Sequence, residues 1–291
     1  VLAFSHFLWR KGKNAQPVVP NIFPDFLKWM PGVERVRIYE KHENEVAPLV
    51  AAADLIICLD FNAPDRLQGL QKPVTDSQSP KIMIDHHLDP VDFCDWVVSR
   101  QEMSSTCELL YRILVQLEGL EPMTYEEAVC LYTGMMTDTG CFSYNSNRSD
   151  IYYIIGRLLT KGIDKDKIYR NVFFNYSAER FRLMGYMLYV KLEYFSEYHA
   201  SLMTLTREEQ KRFSHKKGDT EGFVNIPLQI GKSRLSVFLR EDTERHNIRV
   251  SLRSVDDFPC NRMAAEFFNG GGHLNASGGE LSCTMDEAVQ I

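Results

Sequence analysis

The chain has 291 residues, of which 44% are hydrophobic and 25% charged, as in a globular protein of one large or two ordinary domains. A net charge of −6 and a pI near 5.8 argue against a protein that coats long duplex DNA with a broad basic face. No apolar run approaches the roughly 20 residues of a membrane span, so we expect no membrane partner. The seven cysteines are scattered without a Cys-x-x-Cys pair, which favours reduced thiols and a cytoplasmic location.

The first part of the chain alternates predicted strands with predicted helices. Its apolar runs are of the buried, parallel-strand type, and Ser105 and Thr124 each begin a helix. This order predicts a doubly wound α/β domain over residues 1–190, which ends in a helical linker. The predicted strands are 16–21, 35–40, 53–60, 81–85 and 95–99.

From about residue 191 the pattern changes, which predicts a smaller α+β domain over 191–291. YHASLMTLT alternates like a strand, SRLSVFLRED and NIRVSLRS indicate neighbouring strands, and MAAEFF indicates a helix. Both ends of the chain indicate flanking residues in the natural protein. Val1 lies within a helix that Gly12 ends, and Thr284 opens a capping-box helix just before Ile291.

Acidic residues and histidines follow the predicted parallel strands. Asp60 ends one strand, and Asp85-His86-His87 end another. If the strands are neighbours, both groups meet at one edge of the sheet, where Asp138 in TGMMTDTG could join them. A lone aspartate at a strand end is usually a turn or cap residue, but two adjacent histidines are hard to explain by packing. The set suits a divalent cation, and the imidazole favours Mn²⁺ or another transition metal over Mg²⁺.

Two stretches of the second half suit an anionic ligand. FNGGGHLNASGGE (268–280) predicts a glycine loop whose amides form an anion-binding nest beside His273. It is neither a Walker loop nor a dinucleotide fingerprint, and the alternative of a flexible linker is disfavoured because ordered patterns flank it. In NIRVSLRS, strand alternation places Arg249, Ser251 and Arg253 on one side, where guanidinium groups could bind phosphate; the alternative is a solvated face.

Five stretches taken together resemble, in order and spacing, the DHH–DHHA1 phosphoesterases of the nanoRNase/pAp-phosphatase (RecJ-like) type. They are ADLIICLD, IMIDHH, YTGMMTDTG, VSLRS and FNGGGHLNASGG. The resemblance covers nearly the whole chain. It implies two Mn²⁺ ions, attack of water on phosphorus, and a DHH domain followed by a DHHA1 domain. It also implies that substrate lies between the domains and that a homodimer forms.

The resemblance carries specific roles to residues of this chain. Asp60 would bridge the two ions, and His86 and Asp138 would complete the shell of one of them. His87 would serve the scissile phosphate as donor or general acid, and Asp85 would orient an imidazole. The implied phosphate-binding set in the second domain is Ser251, Arg253, Gly270, Gly271, Gly272 and His273.

The family's first motif, a histidine followed by Asp-x-Asp on a first strand, is absent from this chain. On the family pattern this removes one ligand from one ion and two from the other. We therefore expect the motif, with a central strand, among residues preceding Val1.

The leading functional hypothesis is hydrolysis of short oligoribonucleotides, and of pAp, to mononucleotides. Linear pApA or a cyclic dinucleotide such as c-di-AMP are alternative substrates for the same chemistry. A processive exonuclease is disfavoured because no oligonucleotide-binding barrel follows the second domain. A manganese pyrophosphatase is disfavoured because the GGGH segment fits a domain that binds a nucleotide. A nucleotide-sensing module with a degenerate metal site is the non-enzyme alternative; Asp60, His86, Asp138 and His273 argue against it.

Overall fold

A computed structural model describes residues 1–174 and 176–291, which fall into two compact units, 1–175 and 176–291. The sequence placed the domain boundary later, near residue 190. The division comes earlier because the helix Ala178–Tyr186 and the turn after it belong to the core of the second unit. There, Leu183 and Met187 are fully buried against Met203.

The first unit contains two parallel sheets. The strands β3, β4 and β5 form one in that order, and β1 pairs with β2 in the other. The α/β class with a parallel sheet, predicted from the sequence, is confirmed. The strands are β1 (Val18–Val19), β2 (Arg37–Ile38), β3 (Ile56–Leu59), β4 (Lys81–Asp85) and β5 (Trp96–Ser99).

Helices α1, α4, α5, α6 and α7 share the largest core of this unit, in which Leu131, Met135 and Leu158 are completely buried. Capping residues fix where α4 and α5 begin. The Ser105 hydroxyl accepts the amide of Glu108 at 3.0 Å, and the Thr124 hydroxyl accepts that of Glu127 at 3.2 Å. The helices are α1 (Leu2–Arg10), α2 (Tyr39–Ala51), α3 (Gln71–Asp76), α4 (Thr106–Glu118), α5 (Tyr125–Asp138), α6 (Ser149–Leu159) and α7 (Lys165–Phe173).

The strands expected at 16–21 and 35–40 are much shorter than predicted. Prolines flank β1 on both sides and have no amide hydrogen for a ladder, so pairing stops after two residues. After β2 the chain turns directly into α2 at Tyr39, whose side chain is buried.

The second unit is a six-stranded mixed sheet with helices α8 (Ala178–Tyr186), α9 (Arg207–Arg212), α10 (Cys260–Phe267) and α11 (Met285–Gln290). The predicted pairing of the two strands in SRLSVFLRED and NIRVSLRS is confirmed, and they run antiparallel. The strand order is β10 (Gly271–His273), β11 (Ala276–Leu281), β9 (Ile248–Ser254), β8 (Leu235–Glu241), β7 (Ala200–Leu205) and β6 (Glu193–Phe195).

Strand β9 shows why the sheet has two different faces. Ile248, Val250 and Leu252 are at most 3% exposed and share a core with residues of α10 and α11. The alternate residues of β9 point to the opposite face and remain partly exposed, as strand alternation predicts. Among the described residues of both units, no helix combines the length and apolar character needed to cross a bilayer.

Asp242 closes the turn between β8 and β9 and makes the second unit sensitive to acid. Its carboxylate accepts the amides of Glu244 and Arg245 at 2.8 and 3.0 Å and the Arg249 Nε at 2.9 Å. Burial alone would raise the pKa of Asp242, but these hydrogen bonds lower it to about 2.

Asp242 should therefore stabilise the fold above the unfolded pKa of about 3.9, and this contribution should be lost as pH falls towards 2. We expect Asp242→Asn to be less stable than the parent at pH 7 and to differ less from it near pH 2. Urea titrations at several pH values measure this. A stability difference that does not change with pH would contradict the assignment.

Candidate metal centre and phosphate-binding surface

The strands β3 and β4 are parallel neighbours, so their carboxyl ends bring the predicted residues to one edge of the sheet. Leu59 pairs with Ile84, which places Asp60 beside the Asp85-His86-His87 triplet. Asp60 has a left-handed backbone (φ 71°), which is unusual for a residue other than glycine. Its amide donates to the Ile84 carbonyl at 3.0 Å, and this bond stabilises the bend in which the carboxylate turns towards the histidines.

Four of the predicted residues converge in the first unit. The Asp60 Oδ1 lies 3.8 Å from His86 Nε2 and 3.8 Å from His87 Nδ1. The His86 Nε2 is also 3.2 Å from the Oδ2 of Asp138, the last residue of α5. The structure therefore brings together the three proposed metal ligands and the proposed donor.

The His86 ring is oriented by the backbone behind it. Its side chain is 3% exposed, and Nδ1 lies 3.2 Å from the Met103 carbonyl oxygen. A carbonyl can only accept, so Nδ1 carries the proton in this contact and Nε2 is the basic nitrogen that faces the two carboxylates. This is the tautomer that a metal-binding imidazole requires.

Asp85 is completely buried and contacts His87 twice. Its Oδ1 accepts the His87 amide at 2.6 Å, and its Oδ2 lies 3.0 Å from His87 Nδ1. Burial by itself would raise the pKa of Asp85, but the ring and the amide of His87 lower it below the usual range. The charged carboxylate therefore fixes the His87 ring, with its Nε2 pointing away from Asp85.

The electrostatics of Asp138 are those of a carboxylate beside a cation site. Partial burial is the main cause that raises its pKa to about 6; attraction by His86 opposes the shift, and repulsion from Asp60 adds to it. A divalent cation would favour the ionised form, because its charge outweighs that of its neighbours.

The donors of Asp60, His86 and Asp138 fit a divalent metal ion, since His86 Nε2 lies 3.8 Å from Asp60 Oδ1 and 3.2 Å from Asp138 Oδ2. Ligand atoms of Asp60, Asp85 and His87 also lie within 4.8 Å of one another, but both oxygens of Asp85 already contact His87. Carboxylate oxygens with imidazole nitrogens suit Mn²⁺ and related ions, and oxygens alone suit Mg²⁺.

A cavity of about 570 Å³ opens beside these residues and is lined by both sheets of the first unit. Val19 of β1 and Leu59 of β3 line it, together with Asp60 and Asp138. Arg66 also lines the cavity and is a cation that sequence reasoning did not single out. Its signal was weak, because an arginine in the proline-containing segment between two strands resembles any surface cation.

Thr106 is a second residue that sequence reasoning missed. Its hydroxyl donates to Asp60 Oδ1 at 2.6 Å, across 46 positions of the chain. The motif Ser-Ser-Thr before a helix indicated only an N-terminal cap, and Ser105 does serve as that cap.

The glycine segment, predicted as a loop, forms a β-hairpin in the second unit, and its anion-binding role remains a prediction. Gly271, Gly272 and His273 form β10 and pair with β11, and the amide of Gly270 donates to the Ala264 carbonyl at 3.1 Å. These glycines instead allow backbones to approach closely, since a Cβ at Gly270 would lie 1.9 Å from the Gly278 oxygen.

The predicted phosphate-binding side chains do share one face of this sheet. His273 pairs with Ala276, which in turn pairs with Arg253, so the histidine and the arginine stand on one row. In the adjacent cross-strand row, Gly271 pairs with Gly278, and Gly278 pairs with Ser251. This part of the sheet face therefore carries few side chains.

The two arginines of β9 differ in their partners. Arg249 forms ion pairs with Asp242 and Glu280, both at 2.9 Å. Arg253 donates to the carbonyls of Leu252 and Ser277 and forms no ion pair with any residue that the structure describes. Of these two arginines, Arg253 is therefore the one whose charge is not paired with a carboxylate among the described residues.

Comparisons with known proteins agree with this geometry. The model of the DHH family N-terminal domain matches residues 1–135. A solved exopolyphosphatase-related protein from Bacteroides fragilis is 54% identical, with a TM-score of 0.94, over 99% of this chain and 84% of that one.

Two curated relatives share 28% identity with the chain. The bifunctional oligoribonuclease and PAP phosphatase NrnA of Thermus thermophilus matches over 268 residues, 92% of this chain and 75% of the relative. The probable bifunctional oligoribonuclease and PAP phosphatase NrnA of Streptococcus mutans matches over 198 residues, 68% of this chain and 61% of the relative.

The chain belongs to the DHH phosphoesterase superfamily. It is therefore a phosphoesterase hydrolase by class. Enzymes of this class generally depend on divalent metals, in agreement with the acidic and histidine groups found at the edge of the sheet.

Proposed function

We propose that this protein is a Mn²⁺-dependent phosphoesterase that hydrolyses very short oligoribonucleotides, and pAp, to mononucleotides. The observation that carries the proposal is the convergence of three side chains, with His87 beside them: Asp60 and His86 follow parallel strands, and Asp138 ends α5. The names of the two curated relatives favour oligoribonucleotides and pAp over other phosphoesters.

Asp60, His86 and Asp138 would hold the metal. When bound, divalent ions would polarise the phosphate and supply the attacking water. The protein itself arranges these ligands, because the Met103 carbonyl orients the ring of His86 and the backbone bend at Asp60 turns its side chain towards the histidines.

His87 would exchange a proton with the leaving oxygen. Asp85 binds its Nδ1, so Nε2 is the nitrogen that could face the scissile bond. Hydrolysis of pApA consumes one water, breaks the bond between phosphorus and the 3′ oxygen, and yields two AMP molecules. With pAp, the same step yields AMP and inorganic phosphate.

The second unit would bind the remaining phosphate of the substrate. Arg253 offers a guanidinium without a carboxylate partner among the described residues, and His273 stands on the same row of the sheet. The glycine row beside them could accept a flat base or a sugar without steric conflict. A net charge of −6 favours such a short ligand over a long polyanion.

The test is release of AMP from pApA and pAp, with and without Mn²⁺, beside c-di-AMP and inorganic polyphosphate as competing substrates. We expect metal-dependent AMP release from pApA or pAp. Binding of pApA without turnover would overturn the proposal in favour of a nucleotide sensor. Hydrolysis of polyphosphate alone would overturn it in favour of the activity that the name of the B. fragilis relative suggests.

Arg253→Gln should raise the KM for pApA about tenfold or more and leave Mn²⁺ binding unchanged, because a charge-assisted bond to phosphate is worth about 1.5–3 kcal/mol. His273→Ala should act in the same direction. Arg249→Gln is the matched control on the same strand, since its guanidinium is already paired with Asp242 and Glu280. Equal KM values for both arginine variants would contradict the phosphate role of Arg253.

A further inference from the structure

One short segment of the chain touches two of the proposed metal ligands. At one end, the Met103 carbonyl oxygen lies 3.2 Å from His86 Nδ1. Three residues later, the Thr106 hydroxyl donates to Asp60 Oδ1 at 2.6 Å. We call residues 103–106 the positioning segment, because its ends contact side chains from two different strand ends.

Glu108 anchors the positioning segment through hydrogen bonds. Its Oε2 accepts both the amide and the hydroxyl of Ser104 at 2.7 Å, and Ser105 caps the helix by accepting the Glu108 amide at 3.0 Å. The Oε1 of this completely buried carboxylate binds Arg112 and Arg148. The segment therefore has little freedom to move, and its two contacts are defined by the fold rather than by the ligands.

We propose that Thr106 is a positioning residue that aims the Asp60 carboxylate at the metal. The proposal rests on the metal role proposed above for Asp60. The Asp60 side chain is 53% exposed and could otherwise rotate, whereas the Thr106 hydroxyl comes from a residue that is 8% exposed at the start of α4. The bond leaves Oδ2 and the second lone pair of Oδ1 for the cation.

A merely structural role for Thr106 predicts a different outcome from a positioning role. A structural hydroxyl affects stability, whereas a positioning hydroxyl affects the affinity for metal at unchanged stability. Losing a hydrogen-bond partner of a metal ligand typically lowers metal affinity by about 10–100-fold. Metal affinity, measured without any substrate, therefore separates the two roles.

The experiment is calorimetric titration of the full chain with Mn²⁺ for four variants beside the parent. Thr106→Val keeps the shape and removes the hydroxyl, and Thr106→Ser restores the hydroxyl. Thr133→Val is the matched control, because it removes a buried hydroxyl that, among the described residues, bonds only the Val129 carbonyl within its own helix. Asp60→Asn reports on the proposed ligand itself.

We expect Thr106→Val to weaken Mn²⁺ binding about tenfold or more, Thr106→Ser to bind as the parent does, and Thr133→Val to leave the affinity unchanged. Parental affinity in Thr106→Val, together with loss of binding in Asp60→Asn, would overturn the inference and leave the proposed function standing. A parent protein that binds no divalent ion would overturn the proposed function and the inference with it. Equal weakening in both valine variants would assign the effect to packing and overturn the inference.

Discussion

Asp138→Asn should reduce metal-dependent hydrolysis of pApA by at least about a thousandfold, which corresponds to roughly 4 kcal/mol of transition-state stabilisation. The substitution keeps the shape of the side chain and removes the negative charge that lies 3.2 Å from His86 Nε2. An amide oxygen is a much weaker ligand for Mn²⁺ than a carboxylate, so both kcat and metal affinity should fall.

The fold should not suffer from this change. Asp138 is the last residue of α5, where the helix dipole disfavours negative charge, and Asp60 repels it further. We therefore expect the Tm of Asp138→Asn without metal to equal or exceed that of the parent. Asp54→Asn, an exposed aspartate before β3, is the matched control and should retain full activity. Activity near the parental level in Asp138→Asn would remove Asp138 from the metal shell.

Glu108→Ala should strongly destabilise the first unit. Removing one partner of a buried ion pair typically costs about 3–5 kcal/mol, and we expect the lower end because the two arginines are about one-third exposed. Ser104 would lose both of its hydrogen bonds to the same carboxylate. Urea unfolding measures the loss, with Glu121→Ala in an exposed loop as the control.

Two further results would define the part that Glu108 plays. Glu108→Gln should cost less than Glu108→Ala, because the amide still offers an acceptor to one arginine. Both variants should also weaken Mn²⁺ binding, since the positioning segment is anchored by this carboxylate. A stability change below about 0.5 kcal/mol in Glu108→Ala, typical of surface positions, would contradict the network.

The grouping of Asp60, His86 and His87 could be predicted from the sequence for a simple physical reason, whereas Asp138, which ends a helix, was only a candidate to join them. Carboxyl ends of parallel strands meet at one edge, and apolar runs show where such strands end. The bond between Thr106 and Asp60 could not be predicted, because it joins residues 46 positions apart and leaves no periodic pattern. Periodicity reports which face of an element is buried, and it does not report which side chains of different elements meet.

The glycine segment shows a second limit of sequence reasoning. The sequence predicts a loop over FNGGGHLNASGGE, since glycine runs commonly form one. Such a run pairs as a strand only where a partner strand is available. Here the partner strand approaches so closely that only glycine fits. The boundary between the units was also not predicted. The apolar residues Leu183 and Met187 give the same sequence pattern whether they pack against the preceding unit or, as observed, in the core of the following one.

The outermost strands of the second sheet, β6 and β10, are each only three residues long. A sheet can recruit strands from other molecules through the unpaired amides and carbonyls of its borders, and here both borders expose very few of them. Two glycines in β10 lower its tendency to extend, and Glu193 adds a charge to β6. Thus the architecture that presents a glycine-rich row on one face also protects the sheet of the second unit from edge-to-edge aggregation, and variants that lengthen β10 with valine or isoleucine would weaken that protection.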